Sequence, residues 1–375
     1  MAKKKDAPAN PPSKISGANV AFMKELLETP SPSGYEATIQ DVVERRVKHF
    51  ADEVRRDTHG NLVAAINPKG SPRIILCGHC DEIAMIVTHI DSSGYIWIDR
   101  IGGIDPQHAV GQRVWIHTEQ GKVAGVLGRK PIHHQSADDR KRAPEITDLW
   151  VDIGCIDGKR VKELVEVGDP ITFQVGVEHL RDDVFTARAM DDRIGVYTVM
   201  EALRLIKQSG KKPAAAIFAA STVQEEVGLR GATTATFGVD PQVGIAVDVG
   251  FATDFPTENP KKVGDFKMGG GPILQKGPNS NLPLFQLMKD TAKAEGIVHQ
   301  VEGDGRPGGT DAAAIQISRA GVAAGLVSLP LRYMHSCVEM IALRDADMAA
   351  KLLAAVCLKI TAKTDFVPRG GRVGR

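Results

Sequence analysis

The sequence predicts an α/β protein whose chain is interrupted by a small β-rich domain. In residues 18–83 and 177–365, buried strand-like runs alternate with amphipathic helical segments, which is the rhythm of an α/β sheet. Residues 84–176 contain short alternating runs with glycine at most breaks and no long helical segment, a pattern typical of a small β-barrel. A chain of 375 residues has room for both parts, because a single core rarely exceeds about 250–300 residues.

The first part of the α/β region is expected to contain two helices, a hairpin and a buried strand. Ser33 is expected to cap the second helix. His59-Gly60-Asn61 is a turn sequence between two apolar runs and predicts the hairpin. In chain order, the predicted segments are helices at 20–28 and 33–50, hairpin strands at 54–57 and 62–66, and a strand at 73–77.

Beyond residue 177 the same periodicities predict further helices and strands. The helices are expected at 193–208, 282–294, 311–320 and 345–361, and the strands at 215–222, 243–249, 298–302 and 323–329. Within the insert, the alternating runs lie at 95–99, 113–117 and 122–127. Because open α/β sheets present their chemistry at the carboxyl ends of the strands, polar residues at those ends are candidate site residues.

Composition narrows the class of protein. Lys and Arg total 47 against 46 Asp and Glu, so nothing indicates a nucleic-acid or anionic-membrane partner. No apolar run approaches the roughly 20 residues that span a bilayer, and the start has no secretory h-region. The five cysteines are an odd, sparse set that favours a reducing, cytoplasmic location. Segments 1–17 and 366–375 are expected to be loose tails.

Five polar clusters lie at strand ends or helix starts of the α/β part. In the first, His79 could bind a metal through one ring nitrogen while Asp81 holds the proton of the other nitrogen. In the second, paired carboxylates open a helix, and a carboxylate can bridge two cations. The clusters occupy residues 78–82, 189–195, 224–228, 245–249 and 332–336.

The other three clusters offer further donors. Glu225 and Glu226 could divide the work, one binding a metal while the other moves a proton. Asp248 in an apolar run is costly to bury unless it is paired or metal-bound, and His335 follows a strand. Each cluster alone also has a purely structural explanation, but together they form a set of imidazole and carboxylate donors without cysteine, which suits zinc, cobalt or manganese.

The chain resembles the glutamyl/TET aminopeptidase family of metallopeptidases. The resemblance extends from Val20 to about Thr361 and rests on six strings in order: GHCDEIAMIV, RAMDDRIG, EEVGLRGA, AVDVG, GGTDAAAI and LRYMHSCVE. It implies a phosphorylase/hydrolase-like α/β catalytic domain with a mixed sheet and an inserted β-barrel used for dimerisation. It also implies a homo-oligomer built from dimers, often a dodecamer, that acts on peptides.

Residue by residue, the resemblance implies two divalent metals per subunit, with zinc favoured over cobalt or manganese. Asp191 would bridge the metals, His79 and Asp248 would complete one position, and Glu226 and His335 the other. Glu225 would act as general base and then acid, and Asp81 would support His79. The implied activity is removal of amino-terminal residues from peptides.

Two other activities are compatible with parts of the sequence. A di-metal amidohydrolase that deacylates N-acyl small molecules could use the same donors with a different pocket. Cys77 and Cys80 form a CGHC string that is used in thiol–disulfide exchange, but no helix signal follows it.

The segment 308–311 could either shape a substrate pocket or cap a helix. His108 and the pair His133-His134 in the insert are expected to be surface or interface residues.

Overall fold

In a computed structural model of the protein, residues 17–306 and 308–369 are described. The predicted tail 1–17 lies outside these residues except for Gly17, which begins the first helix. Of the predicted tail 366–375, only residues 366–369 are described. Phe366 packs against the main core, and its carbonyl accepts a hydrogen bond from Asn281 Nδ2 (2.9 Å).

The described chain forms helices and strands in three sheets. The helices are α1 Gly17–Glu28, α2 Ala37–Val47, α3 Pro106–Ala109, α4 Gly158–Lys162, α5 Met190–Gln208, α6 Arg230–Val239, α7 Pro260–Val263, α8 Leu282–Ala294, α9 Asp311–Gln316 and α10 Leu343–Lys359. The strands are β1 Glu53–Arg56, β2 Leu62–Ile66, β3 Arg73–His79, β4 Ala84–Ile90, β5 Ile96–Ile101, β6 Arg113–Thr118, β7 Gly121–Gly128, β8 Trp150–Asp152, β9 Pro170–Phe173, β10 Glu178–Arg181, β11 Val184–Ala187, β12 Ala216–Thr222, β13 Val243–Phe251, β14 Ile273–Lys276, β15 Gln300–Gly303, β16 Ala323–Leu331 and β17 Glu339–Ala342. Among these described helices, none is long and apolar enough to cross a membrane.

The largest sheet is mixed and carries the α/β body. Its strand order is β1-β2-β12-β3-β13-β16-β14-β15, and the four neighbours β12, β3, β13 and β16 run parallel. Along β3, Ile74 and Leu76 belong to one core cluster and Ile75 and Cys77 to another, because successive side chains point to opposite faces. Burial on both faces explains why this strand reads as a continuous apolar run.

Helices cover the two faces of the sheet unequally. The larger core cluster combines buried residues of α1, α2, α5, α8 and α10, whereas the smaller one combines residues of α6 and α9. Because β12, β3, β13 and β16 run parallel, their carboxyl ends lie at the same edge of the sheet. Helices cover both faces of the sheet behind that edge. Polar side chains at that edge lie in a protected crevice.

The insert is a closed antiparallel barrel. Its strand order is β4-β5-β8-β7-β6-β9, and it encloses its own core, which includes Met85, Ile98, Val114, Ile116 and Ile171. The predicted α/β fold with an inserted small β-barrel is confirmed. The mixed sheet with an antiparallel edge also agrees with the phosphorylase/hydrolase-like fold that the resemblance implied.

Two predictions about local structure are wrong or incomplete. Ser33 does not cap α2, since the helix begins at Ala37 and Ser33 Oγ instead donates to Asp81 Oδ2 (2.6 Å). A buried carboxylate attracts the hydroxyl more strongly than a helix terminus does. The sequence analysis also missed α6 and the small sheet β10-β11-β17, because α6 is rich in Gly and Thr and the strands have only four residues each.

Candidate metal centre

The candidate site lies where the parallel strands of the main sheet end. His79 is the last residue of β3, and Asp248 lies near the end of the neighbouring strand β13. Glu225 and Glu226 follow β12, and His335 follows β16. Asp191 enters from the start of α5, which packs on the sheet. The topology thus brings together the five predicted metal ligands, and Glu225 with them.

Asp191 lies between the two histidines. Its Oδ1 is 3.1 Å from His79 Nε2, and its Oδ2 is 3.3 Å from His335 Nε2. His335 Nε2 is in turn 3.5 Å from Glu226 Oε1. Each oxygen of one carboxylate therefore serves a different imidazole, which is what a bridging ligand requires.

The donor atoms form overlapping groups in which every atom lies within 4.8 Å of the others. One group is His79, Asp191 and Asp248, and a second is Asp191, Glu226 and His335. These two groups share only Asp191. A third group joins His79 to both Glu225 and Glu226.

Electrostatics indicates that this cluster is built to hold positive charge. Burial, together with the charge of Asp191, raises the pKa of Asp248 well above its usual value. Burial and Asp191 likewise raise the pKa of Glu226 to about 7. Ionised carboxylates this close are unfavourable without compensating cations, and imidazole with carboxylate donors suits divalent metals. The residues present therefore fit a metal centre.

The two histidines and Asp191 are also strongly perturbed. Burial opposes a charged imidazole, but Glu225, Asp191 and Asp81 outweigh it and raise the pKa of His79. Asp191 raises the pKa of His335 to about 9 against the effect of burial. The pKa of Asp191 is held far below its usual value, because its contacts with His335 and His79 exceed the effect of burial. The charges of these three ligand candidates therefore shift one another's pKa values.

Glu225 also has a raised pKa. Burial raises the pKa of Glu225 to about 10, with Asp248 and Asp311 adding to the effect and His79 opposing it. The carboxylate lies 3.8 Å from His79 Nε2. A glutamate with a raised pKa beside a metal centre is able to accept and hold a proton.

Two carboxylates hold the turn that carries the glutamates. Asp81 Oδ1 accepts a hydrogen bond from the backbone N–H of Glu225 (3.0 Å), and Asp81 Oδ2 accepts one from Glu226 (3.2 Å). Glu36 Oε1 accepts the preceding N–H, that of Gln224 (3.1 Å). Asp81 Oδ1 also lies 3.4 Å from His79 Nδ1. The predicted partner of His79 therefore supports both the histidine and the turn 224–226.

Sequence reasoning missed several residues around the site. Glu36 lies outside the motifs, whereas Glu82 lies within GHCDE and is a buried carboxylate paired with Arg188 and Arg193. Glu339 lies within LRYMHSCVE and contacts the backbone of two ligand candidates. An acidic residue inside an apolar run, as in VEMIA, is the signal that could have identified Glu339, by the reasoning applied to Asp248.

The structure separates other residues from the site or gives them ordinary roles. Thr310 caps α9, with its Oγ1 accepting from Ala312 N (3.3 Å), so the segment 308–311 is a helix cap. The next residue, Asp311, is buried and accepts from Thr222 Oγ1 (2.6 Å). His108, His133 and His134 are exposed on the barrel.

The CGHC string does not have the properties of a redox motif. Cys77 and Cys80 are both fully buried and neither forms a disulfide. Burial raises the pKa of each thiol, Asp311 adding to the effect at Cys77 and Asp81 at Cys80. Reactive cysteines need the opposite environment, in which a lowered pKa makes the thiolate available.

Histidine and carboxylate donors lie together at the carboxyl edge of an α/β sheet, beside a glutamate with a raised pKa. This arrangement is typical of metal-dependent hydrolases. Comparison with known proteins specifies the family. The M42 glutamyl aminopeptidase family matches over residues 60–352. The lysyl aminopeptidase of Pyrococcus furiosus is 39% identical over 351 residues, which cover 92% of this chain and 99% of that protein.

Solved structures agree with this match. The TET aminopeptidase from the marine sediment archaeon Thaumarchaeota archaeon SCGC AB-539-E09 has a TM-score of 0.89 at 34% identity, covering 92% of this chain and 98% of that one. The Pyrococcus horikoshii TET1 peptidase, which can assemble into a tetrahedron or a large octahedral shell, has a TM-score of 0.80 at 32% identity, covering 91% and 100%. The chain therefore belongs to the M42 glutamyl aminopeptidase family, and it is a hydrolase of the aminopeptidase type.

Proposed function

We propose that the protein removes amino-terminal residues from peptides at a centre of two divalent metals. The observation that carries the proposal is the position of Asp191, which is the residue shared by the group of His79, Asp191 and Asp248 and the group of Asp191, Glu226 and His335. His79 and Asp248 would complete one position, and Glu226 and His335 the other. Zinc is favoured, with cobalt or manganese as alternatives, because the donors are nitrogen and oxygen.

The chemistry of such a pair is well defined. When bound by these residues, a pair of divalent metals would supply a water molecule with a lowered pKa and would polarise the scissile carbonyl. Glu225 would take a proton from the attacking water and then donate it to the leaving amine. Its carboxylate lies 3.8 Å from His79 Nε2, which places it beside the proposed metals. Asp81 would keep His79 and Glu225 in their relative positions.

Hydrolysis of a peptide library by the zinc-reconstituted protein tests this function, with products identified by mass. We expect products shortened by one residue from the amino terminus. Parallel assays with aminoacyl-anilides and N-acyl amino acids separate a peptidase from a deacylase of the same metal chemistry. Cleavage of the N-acyl amino acids alone would refute the aminopeptidase proposal.

The proposal extends to assembly and location. The Pyrococcus horikoshii TET1 peptidase can assemble into a tetrahedron or a large octahedral shell. This similarity supports the proposal that the present protein is a homo-oligomer built from dimers, up to a dodecamer, with the barrel as the dimerisation domain. Ile132, Ile156 and Val167 on the barrel are 60%, 87% and 66% exposed, which provides apolar surface for such a contact. The free, sparse cysteines support a cytoplasmic location. Light scattering of the purified protein measures the assembly, and a monomeric mass would contradict it.

A further inference from the structure

We infer that Glu339 is a positioning residue that fixes two metal-binding side chains through their backbone. The inference rests on the proposed function, since it concerns the same centre. Glu339 Oε1 accepts a hydrogen bond from the backbone N–H of His335 (2.7 Å), and Oε2 accepts one from Asp191 (3.1 Å). The residue is only 2% exposed. Each oxygen of one buried carboxylate therefore holds a different ligand candidate.

Strand pairing places Glu339 between these two segments. It begins β17, which pairs with β11 so that Glu339 lies opposite Ala187. Shortly after Ala187 the chain enters the start of α5, which carries Asp191, and on the other side His335 precedes β17 by a short turn. The small sheet that the sequence analysis missed therefore joins two parts of the metal centre that are distant in the chain.

The backbone at these segments needs such support. His335 has φ +59°, and Ala189, which precedes Asp191, has φ +56°. Residues other than glycine adopt this left-handed region rarely, and they keep it where surrounding contacts enforce it. The two hydrogen bonds that Glu339 accepts, from the N–H groups of His335 and Asp191, are contacts of this kind. Without them, His335 and Asp191 are free to relax away from a common position.

The effect should differ between the two metal positions. The group of Asp191, Glu226 and His335 contains both residues that Glu339 holds, whereas the group of His79, Asp191 and Asp248 contains one. Loss of Glu339 should therefore weaken the first position more than the second. A residue that merely stabilises the fold would weaken neither position selectively.

The test compares Glu339→Gln with a matched control. Glutamine keeps the size of the side chain but has a single acceptor oxygen, so one of the two backbone N–H groups loses its partner. Asp345 provides the control, because it is also a buried carboxylate (1% exposed) that accepts two backbone N–H groups, from Gly269 (2.6 Å) and Gly271 (2.8 Å). Asp345→Asn likewise leaves one of two backbone N–H groups without its partner, but it touches no ligand candidate.

Zinc titration by calorimetry on the full-length, chelator-treated proteins supplies the main readout. We expect Glu339→Gln to bind one of two zinc ions about 10–100-fold more weakly, the usual range for residues that support metal ligands. Asp345→Asn should bind both ions as the wild type does. In peptide assays, kcat of Glu339→Gln should fall at limiting zinc and recover in excess zinc, with KM unchanged.

Unchanged zinc affinities in Glu339→Gln, with a lower melting temperature of the metal-free protein, would overturn the inference and leave Glu339 a structural residue. If Glu339→Gln does not fold, Glu339→Asp takes its place, since it keeps both oxygens but is too short to reach both amides. The same selective loss supports the inference, and unchanged affinities contradict it. Wild-type protein that binds no zinc would instead refute the proposed function.

Discussion

At the scale of single residues, Glu225 and Glu226 are adjacent in the chain but are proposed to do different work. Both lie close enough to His79 to form a donor group with it. Glu226 also contacts His335, which belongs to the second donor group, whereas Glu225 has the larger pKa shift. Proximity to His79 therefore does not distinguish the metal ligand from the proton carrier. Substitution of each glutamate in turn distinguishes these roles.

We predict that Glu225→Gln keeps close to two metal ions per chain while kcat falls by about a hundredfold or more, since acid–base catalysis contributes 10²–10⁴-fold. Glutamine is nearly isosteric but has no site for the transferred proton. Glu226→Gln is the matched comparison and should bind one ion less tightly. Metal analysis and steady-state kinetics measure both effects. Normal turnover by Glu225→Gln would remove this residue from the mechanism.

At the scale of elements, the turn after β12 depends on contacts from distant segments. Glu36 precedes α2 and is 188 residues from Gln224, yet it accepts the N–H of that residue. The same Oε1 accepts from Gly34 N (2.7 Å). Gln224 has φ +54°, so the turn that presents Glu225 includes a strained position held by a side chain.

Two variants of Glu36 separate positioning from charge. Glu36→Ala removes the acceptor of two amides, and we predict a loss in kcat of about tenfold with both metals still bound, because each amide left without a partner costs about 1–3 kcal/mol and the turn can relax. Glu36→Gln keeps an oxygen for both amides and should restore activity close to that of the wild type. The measurement is kcat together with metal content. Equal kcat in all three proteins would show that the turn does not need Glu36.

The barrel contains a histidine that links its stability to pH. Burial, with help from Lys122, lowers the pKa of His117 to about 4, and its Nε2 lies 2.8 Å from Thr172 Oγ1. In the unfolded chain an imidazole titrates near about 6.5, so between these values the unfolded state binds more protons than the native state. Stability should therefore rise with pH through this window and be lost as pH falls toward 4.

We predict that His117→Gln flattens the dependence of melting temperature on pH between about 4 and 6.5, since it removes the group that must be protonated on unfolding. His133→Gln is the control, because His133 is exposed on the same barrel. Thermal unfolding at a series of pH values measures both variants. Parallel curves for wild type and His117→Gln would contradict the assignment.

At the scale of the whole molecule, the candidate metal centre joins segments from most of the α/β body. Its donors come from β3, β13, the start of α5 and the turns after β12 and β16. Ions that bind only the native state stabilise it by mass action, by about 2.7 kcal/mol when the free ion is at 100 times its dissociation constant. Metal binding should therefore stabilise the fold as well as provide the chemistry.

Chelation is expected to lower the melting temperature of the wild type by several degrees, because the native state loses this binding energy. Asp191→Ala should lose metal stoichiometry, since one side chain serves both donor groups, and its melting temperature should respond little to chelator. Asp138→Ala, at an exposed position on the barrel, is the control and should behave as the wild type does. Two tightly bound ions in Asp191→Ala would contradict the bridging role.

The sequence was informative where structure is local. Predicted helix 282–294 coincides with α8, and the hairpin around Gly60 joins β1 to β2, because turn chemistry and periodicity are properties of neighbouring residues. Prediction failed at α6 and the small sheet, whose short or Gly-containing segments form only because the surrounding body packs against them.

By itself, the sequence determined the α/β body, the inserted barrel, the resemblance to the glutamyl/TET aminopeptidases and the residues able to bind a metal. The tertiary structure decided how those residues meet: Asp191 between two histidines, Glu36 on the turn 224–226, and Glu339 on the backbone of two ligand candidates. The reason is physical. The type of donor atom is a property of a single residue and can be read from the sequence. The hydrogen bond between Asp191 and Glu339 joins residues 148 positions apart, and it exists only when the sheet aligns its strands.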